Sequence, residues 1–222
     1  MKNGGNRVKL HGLKIDKFFI STDKPKGMIS FVELFDVILM TAFLGFLFQN
    51  YIKPKKTAKD VVDQYINKTN KWKDFLFSCA VLAPAIILHE LAHKFTAIYF
   101  GLEATFHAFY ANSTTLWLGL FALIAKVTNF GFIFLVPGFV TITGTGTNTE
   151  FFLIALAGPA MHAIFYVASK ILLATKINLS ENQRYYLHVF SYINGFLFIF
   201  NMIPIPGFDG SKVFYYLGQA LF

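Results

Sequence analysis

The chain has 222 residues, 55% of them hydrophobic and 18% aromatic against 14% charged, with a mean hydropathy of +0.51; a soluble domain of this size needs more surface charge, so the composition points to the bilayer. The formal net charge of +8 lies mainly in residues 1–27 and 51–74, around an apolar segment and without a nucleic-acid reading module. Anionic lipid headgroups are therefore the expected partner and nucleic acid is not. Cys79 stands alone, which excludes disulfides and thiolate zinc clusters.

Residues 1–28 form a basic N-terminal segment, and residues 29–222 are expected to form one transmembrane domain. No cleavable signal peptide is expected, because the first apolar run starts near residue 29 and no small-x-small site follows it. ISFVELFDVILMTAFLGFLFQN, residues 29–50, is long enough to span, with Glu33 and Asp36 expected near the interface. In residues 51–74, Val62, Ile66 and Trp72 recur at helical spacing, which fits an amphipathic surface helix as well as a solvated loop. Residues 75–100 make a second span, with a bend expected at Pro84. LWLGLFALIAK, residues 116–126, is too short to span. FGFIFLVPGFVTITG reads as two β-branched runs around Pro137-Gly138, so residues 114–144 are expected to hold a half-helix and a β-hairpin. Residues 151–174 and 185–207 are further spans, and 211–222 a short terminal helix at the membrane surface. The fold class is mainly α: a polytopic membrane helix bundle with a small membrane-associated β-hairpin near the active site.

The apolar stretch IILHELAHKFTAIYF, residues 86–100, contains His89-Glu90-Leu91-Ala92-His93. Histidines four apart on a helix point within about 40° of each other and can share a zinc ion, while the intervening glutamate can hold the attacking water. Ionisable groups inside a bilayer cost about 2.5–3.5 kcal/mol each and need a partner, which a metal supplies. A catalytic zinc needs a third protein ligand. Asp209, in NMIPIPGFDG, follows a helix-breaking run that would aim it back into the bundle; His107, His162 and His188 are the rivals. His107, Thr114 and Thr115 are candidates for a polar water path.

HELAHKFTAIYFG followed by Asn201-Met-Ile-Pro204-Ile-Pro206-Gly-Phe-Asp209-Gly210 closely resembles the site-2 protease family of intramembrane zinc metalloproteases, over roughly residues 75–215. The resemblance extends to LVPGFVTITG, similar to the family's membrane-inserted hairpin, and to AGP at 157–159. It implies one Zn2+ per chain held by His89, His93 and Asp209, with Glu90 as general base and Asn201, His162 and Gly138 near the substrate or the oxyanion. The implied reaction is peptide hydrolysis in or beside a transmembrane helix of another membrane protein. Two positions depart from the family pattern: His162 replaces Asn, and Ser211 replaces a second Gly. Lysines flank the first span on both sides, so charge leaves orientation undecided. The resemblance favours a multi-pass protein of the cell membrane with its zinc site nearer the cytoplasmic face. Two other readings stand beside it: an inert zinc-binding scaffold or adaptor, and a metal transporter.

Overall fold

The computed structural model describes residues 29–56, 61, 70–130 and 138–221. The basic segment 1–28, Val62 and Ile66 of the expected surface helix, and the first arm of the expected hairpin lie outside the described residues.

The first helix, α1 (Phe31–Phe48), is nucleated by a capping box: Ser30 Oγ accepts from the Glu33 amide while the Glu33 carboxylate accepts from the Ser30 amide. The second, α2 (Lys71–Tyr99), starts on an Asn70 cap and runs through Pro84. Trp72, expected on the surface helix, belongs to the first turn of α2 and stacks on Phe75. A short apolar helix, α3 (Ser113–Val127), occupies the place of the expected half-helix. Two longer helices follow, α4 (Asn148–Ala174) and α5 (Glu181–Asn201), and the described chain ends in α6 (Asp209–Leu221). Both α4 and α5 open on capping boxes, at Thr147 with Glu150 and at Ser180 with Gln183.

Among the described residues, α1, α2 and α4 are long and apolar enough to cross a membrane. The expected fourth span, 185–207, differs from the observed helix in its bounds, and that helix is less apolar than the other three. Its helix ends at Asn201, because Pro204 and Pro206 cannot continue it, and it is not among the three sufficiently apolar helices. Arg184, His188 and Asn194 account for much of that lower apolarity.

The sheet holds a pairing that was not expected, while the expected hairpin involves residues outside those described. Strand β2 (Phe139–Thr143) lies in the second arm of the expected hairpin, but its described partner is β1 (Glu103–His107), antiparallel, with Glu103 opposite Thr143 and His107 opposite Phe139. The two strands are joined through α3, a non-local pairing that turn residues cannot signal.

Helix α4 packs on α2, α5 and α6, and α1 packs on α2. Met40, Leu44, Val81, Leu82, Ile86 and Phe106 meet in the core with Phe190 and Leu197. Glu33 and Asp36, expected near the interface, are buried within the protein. Each serves as an acceptor for the segment that follows α2. Glu33 takes the Phe106 amide and the Lys94 ammonium. Asp36 takes the Ala108 amide and, at 2.5 Å, the Tyr110 hydroxyl. A phenolate beside a carboxylate is disfavoured, and this bond pushes the Tyr110 hydroxyl up to about 12. Because the folded value exceeds the ordinary 10, the bond stabilises the fold fully below that pH and is lost as pH rises through about 12. Tyr110→Phe is expected to cost about 1 kcal/mol at neutral pH, since the ring is partly exposed. Thermal unfolding in detergent measures this, and an unchanged midpoint would count against the tether.

Candidate metal centre

Helix α2 turns His89 and His93 to one face, both buried. The centroids are 4.7 Å apart with the rings nearly perpendicular, at 85°. Their Nε2 atoms lie 3.1 Å apart. Asp209 Oδ2 is 3.0 Å from His89 Nε2 and 3.3 Å from His93 Nε2. Ligand atoms bound tetrahedrally at about 2.0–2.1 Å stand about 3.3 Å from one another, so the spacing of the three atoms fits a zinc ion. His93 Nδ1 lies 2.7 Å from the Ile154 carbonyl, to which it donates. A neutral His93 then turns its Nε2 lone pair toward the carboxylate, a repulsive contact that a cation relieves. Among the described residues this is the cluster that can hold a metal ion.

Two glycines make the convergence possible. A Cβ on Gly158 of α4 would sit 2.2 Å from His93 Nε2 and 2.7 Å from His89 Nε2, so only a bare backbone lets α4 lie against both rings. A Cβ on Gly210 would meet the Met202 carbonyl at 2.4 Å; its absence lets the first turn of α6 abut the end of α5 and brings Asp209 back to the histidines. Gly158→Ala is expected to lower zinc affinity by at least about tenfold by displacing a ring. Competition with a chromophoric chelator reads this directly, and wild-type affinity in a folded variant would show that the approach is not required.

The donor atoms open onto a cavity of about 350 Å³, whose lining includes Glu90, Gly138, Asn201, Asp209 and Lys212 together with Val140 and Ile142 of β2. Glu90 is buried beside the ligand cluster without belonging to it. Of the three further residues implied by the resemblance, Asn201 and Gly138 line the cavity and His162 does not. His162 is buried behind His89, centroid to centroid 4.7 Å, with Nδ1 2.9 Å from Asn194 Oδ1. The rivals for third ligand are elsewhere: His107 lies on β1 beside the Phe139 ring, and His188 is exposed on α5. His107, Thr114 and Thr115, named as candidates for a polar path, do not line the cavity itself.

Sequence reasoning missed Lys212 and Tyr216 as cavity residues. They follow Asp209 at three and seven residues, the period of one helix face, and the signal is readable once α6 is known to begin at Asp209. Tyr216 stacks on Phe151 at 5.2 Å, and Asn148 Nδ2 donates to the Gln219 carbonyl; together they hold α6 against the start of α4.

Two histidines from one long helix, a carboxylate from a distant turn and a neighbouring free glutamate constitute a metallohydrolase-type centre in a helical protein. The chain is 37% identical over 142 residues, 63% of its own length and 69% of the relative's, to a Methanocaldococcus jannaschii protein named "putative zinc metalloprotease". It belongs to that family of zinc metalloproteases. No family model matches the chain, and no solved structure matches it significantly.

Proposed function

We propose that this protein is an intramembrane endopeptidase of the site-2 protease type, cutting peptide bonds in or beside a transmembrane segment of another membrane protein. The observation that carries the reading is the sharing of one element: α2 is apolar and long enough to span a membrane, and the same helix bears His89, Glu90 and His93 at the cavity. The bilayer is then the working medium. The protein is read as multi-pass in the cell membrane, with the site nearer the cytoplasmic face and one zinc ion per chain.

His89, His93 and Asp209 would hold the zinc. When bound, it supplies Lewis-acid polarisation of the scissile carbonyl and acidifies the attacking water. Glu90 accepts the proton from that water on its carboxylate and returns it to the leaving amine. Asn201, at the end of α5, offers an amide to the substrate backbone from the cavity wall. Gly138, just before β2, lines the same cavity, and its missing Cβ leaves room for the Phe106 ring. A helical substrate must unwind to expose a peptide bond, and its freed amides need partners in a site poor in water. β2 lines the cavity and is suited to bind the unwound stretch as an added strand. Lys212 brings a cation to the same space.

The test is cleavage of a membrane-spanning substrate by purified protein in vesicles. Chelation is expected to abolish cleavage, and one equivalent of Zn2+ to restore it. Retained cleavage after complete zinc removal opposes the reading. Substrate held intact by zinc-loaded protein supports the scaffold, and zinc flux into the vesicles supports the transporter.

A further inference from the structure

We infer that the ring of His162 fixes the ring of His89 for metal binding by packing against it, in place of the hydrogen bond that ordinarily does so; the inference rests on the zinc-site reading above. A metal-ligating histidine nearly always donates its second ring N–H to a carboxylate, carbonyl or water, which sets its plane. His93 follows this pattern through Ile154. His89 does not: its Nδ1 is buried and has no hydrogen-bond partner. Its plane must be held by packing.

The packing partner is His162, one turn beyond Gly158 on α4. The two ring centroids are 4.7 Å apart and the planes inclined by 31°, a tilted face-to-face contact. His162 is itself held firmly. Asn194 is fully buried and donates Nδ2–H to the Phe190 carbonyl at 2.8 Å, which fixes the amide so that Oδ1 faces His162. His162 must therefore donate from Nδ1 to that oxygen, at 2.9 Å. Asn194 thereby sets the tautomer of His162, and the face of the His162 ring lies against the ring of His89. His162 is not among the residues that line the cavity or form the ligand cluster, which leaves it a positioning role. Its contribution is the flat face of a fully buried ring.

The inference separates the ring from its nitrogens. Full-length protein in detergent is compared as wild type, His162→Ala, and the paired variant His162→Phe with Asn194→Leu, which keeps a ring and removes the acceptor that would otherwise lose its donor. Zn2+ affinity is measured by chelator competition, and the Co2+-loaded visible spectrum reports ligand geometry. Thermal unfolding identifies variants that remain folded. His162→Ala is expected to weaken Zn2+ binding about 10- to 100-fold and to alter the Co2+ spectrum, while the paired variant stays within about threefold of wild type with its spectrum unchanged. Wild-type affinity in His162→Ala overturns the inference. So does a paired variant as weak as His162→Ala, which would assign the effect to the imidazole nitrogens. A different result marks failure of the zinc-site reading itself: equal Zn2+ binding by wild type and His89→Ala.

Discussion

Glu90→Gln is expected to reduce turnover of a membrane-spanning substrate by about 100- to 10,000-fold, the range supplied by a well-placed general base, while zinc content stays at the wild-type level. Both halves follow from where Glu90 sits. It is next to His89 on α2, buried, and lines the cavity, yet the ligand cluster consists of His89, His93 and Asp209 without it. Gln has nearly the same shape and can hydrogen-bond, so the metal site and the packing should survive. What it lacks is a basic oxygen to take the proton of the attacking water. The comparison requires zinc stoichiometry by elemental analysis beside single-turnover cleavage in vesicles. If the variant cleaved as fast as wild type with its zinc intact, the proton would be going elsewhere and the assignment of the base would be wrong. A scaffold has no base to lose, so it predicts no change in client binding on the same substitution.

The candidate ligand set was legible in the sequence partly from local signatures and, for Asp209 over its rivals, from the family resemblance. His89 and His93 are four residues apart on one helix, and Asp209 follows Pro204, Pro206 and Gly207, residues that end a helix and reverse the chain. The three apolar helices were legible from length and hydropathy, and α3 from its shortness. The pairing of β1 with β2 was not, because it joins Glu103 to Thr143 across α3 and depends on which chain segments meet on α2. The partners of Glu33 and Asp36 were not legible for a related reason. Near the start of an apolar helix an acid reads as an interfacial group, and nothing local announces Lys94, Phe106 or Tyr110 as its partners. His162 could be singled out as a departure from the family pattern, but its place behind His89 depends on the packing of α4 and α5 together. Lys212 and Tyr216 became visible only with the register of α6.

The buried pair of Glu33 and Lys94 should be the most sensitive point in the scaffold that carries the site. Lys94 follows the zinc-ligand candidate His93 directly on α2, and its side chain, like that of Glu33, is almost entirely inaccessible. Glu33 Oε1 receives both the ammonium and the Phe106 amide, and Oε2 receives the Ser30 amide that starts α1. One carboxylate therefore joins the start of α1, the metal-bearing helix and strand β1. Glu33→Ala leaves an ammonium without its counter-charge, an amide of β1 without its acceptor and α1 without its capping box. Removing one partner of a buried pair costs about 3–5 kcal/mol, most of it the desolvated charge left behind. Glu33→Leu combined with Lys94→Met removes both charges at similar volume, and it is expected to recover more than half of that loss, because the pair's own net contribution is small. Thermal unfolding of the full chain in detergent, run on both variants, separates the two contributions. A Glu33→Ala midpoint equal to wild type would mean that Lys94 reaches polar headgroups or water, and the described burial of the pair would then not hold in the membrane. If instead the single variant unfolds early and the double variant does not, the carboxylate's main role is to neutralise a charge that α2 carries one residue beyond its metal ligand.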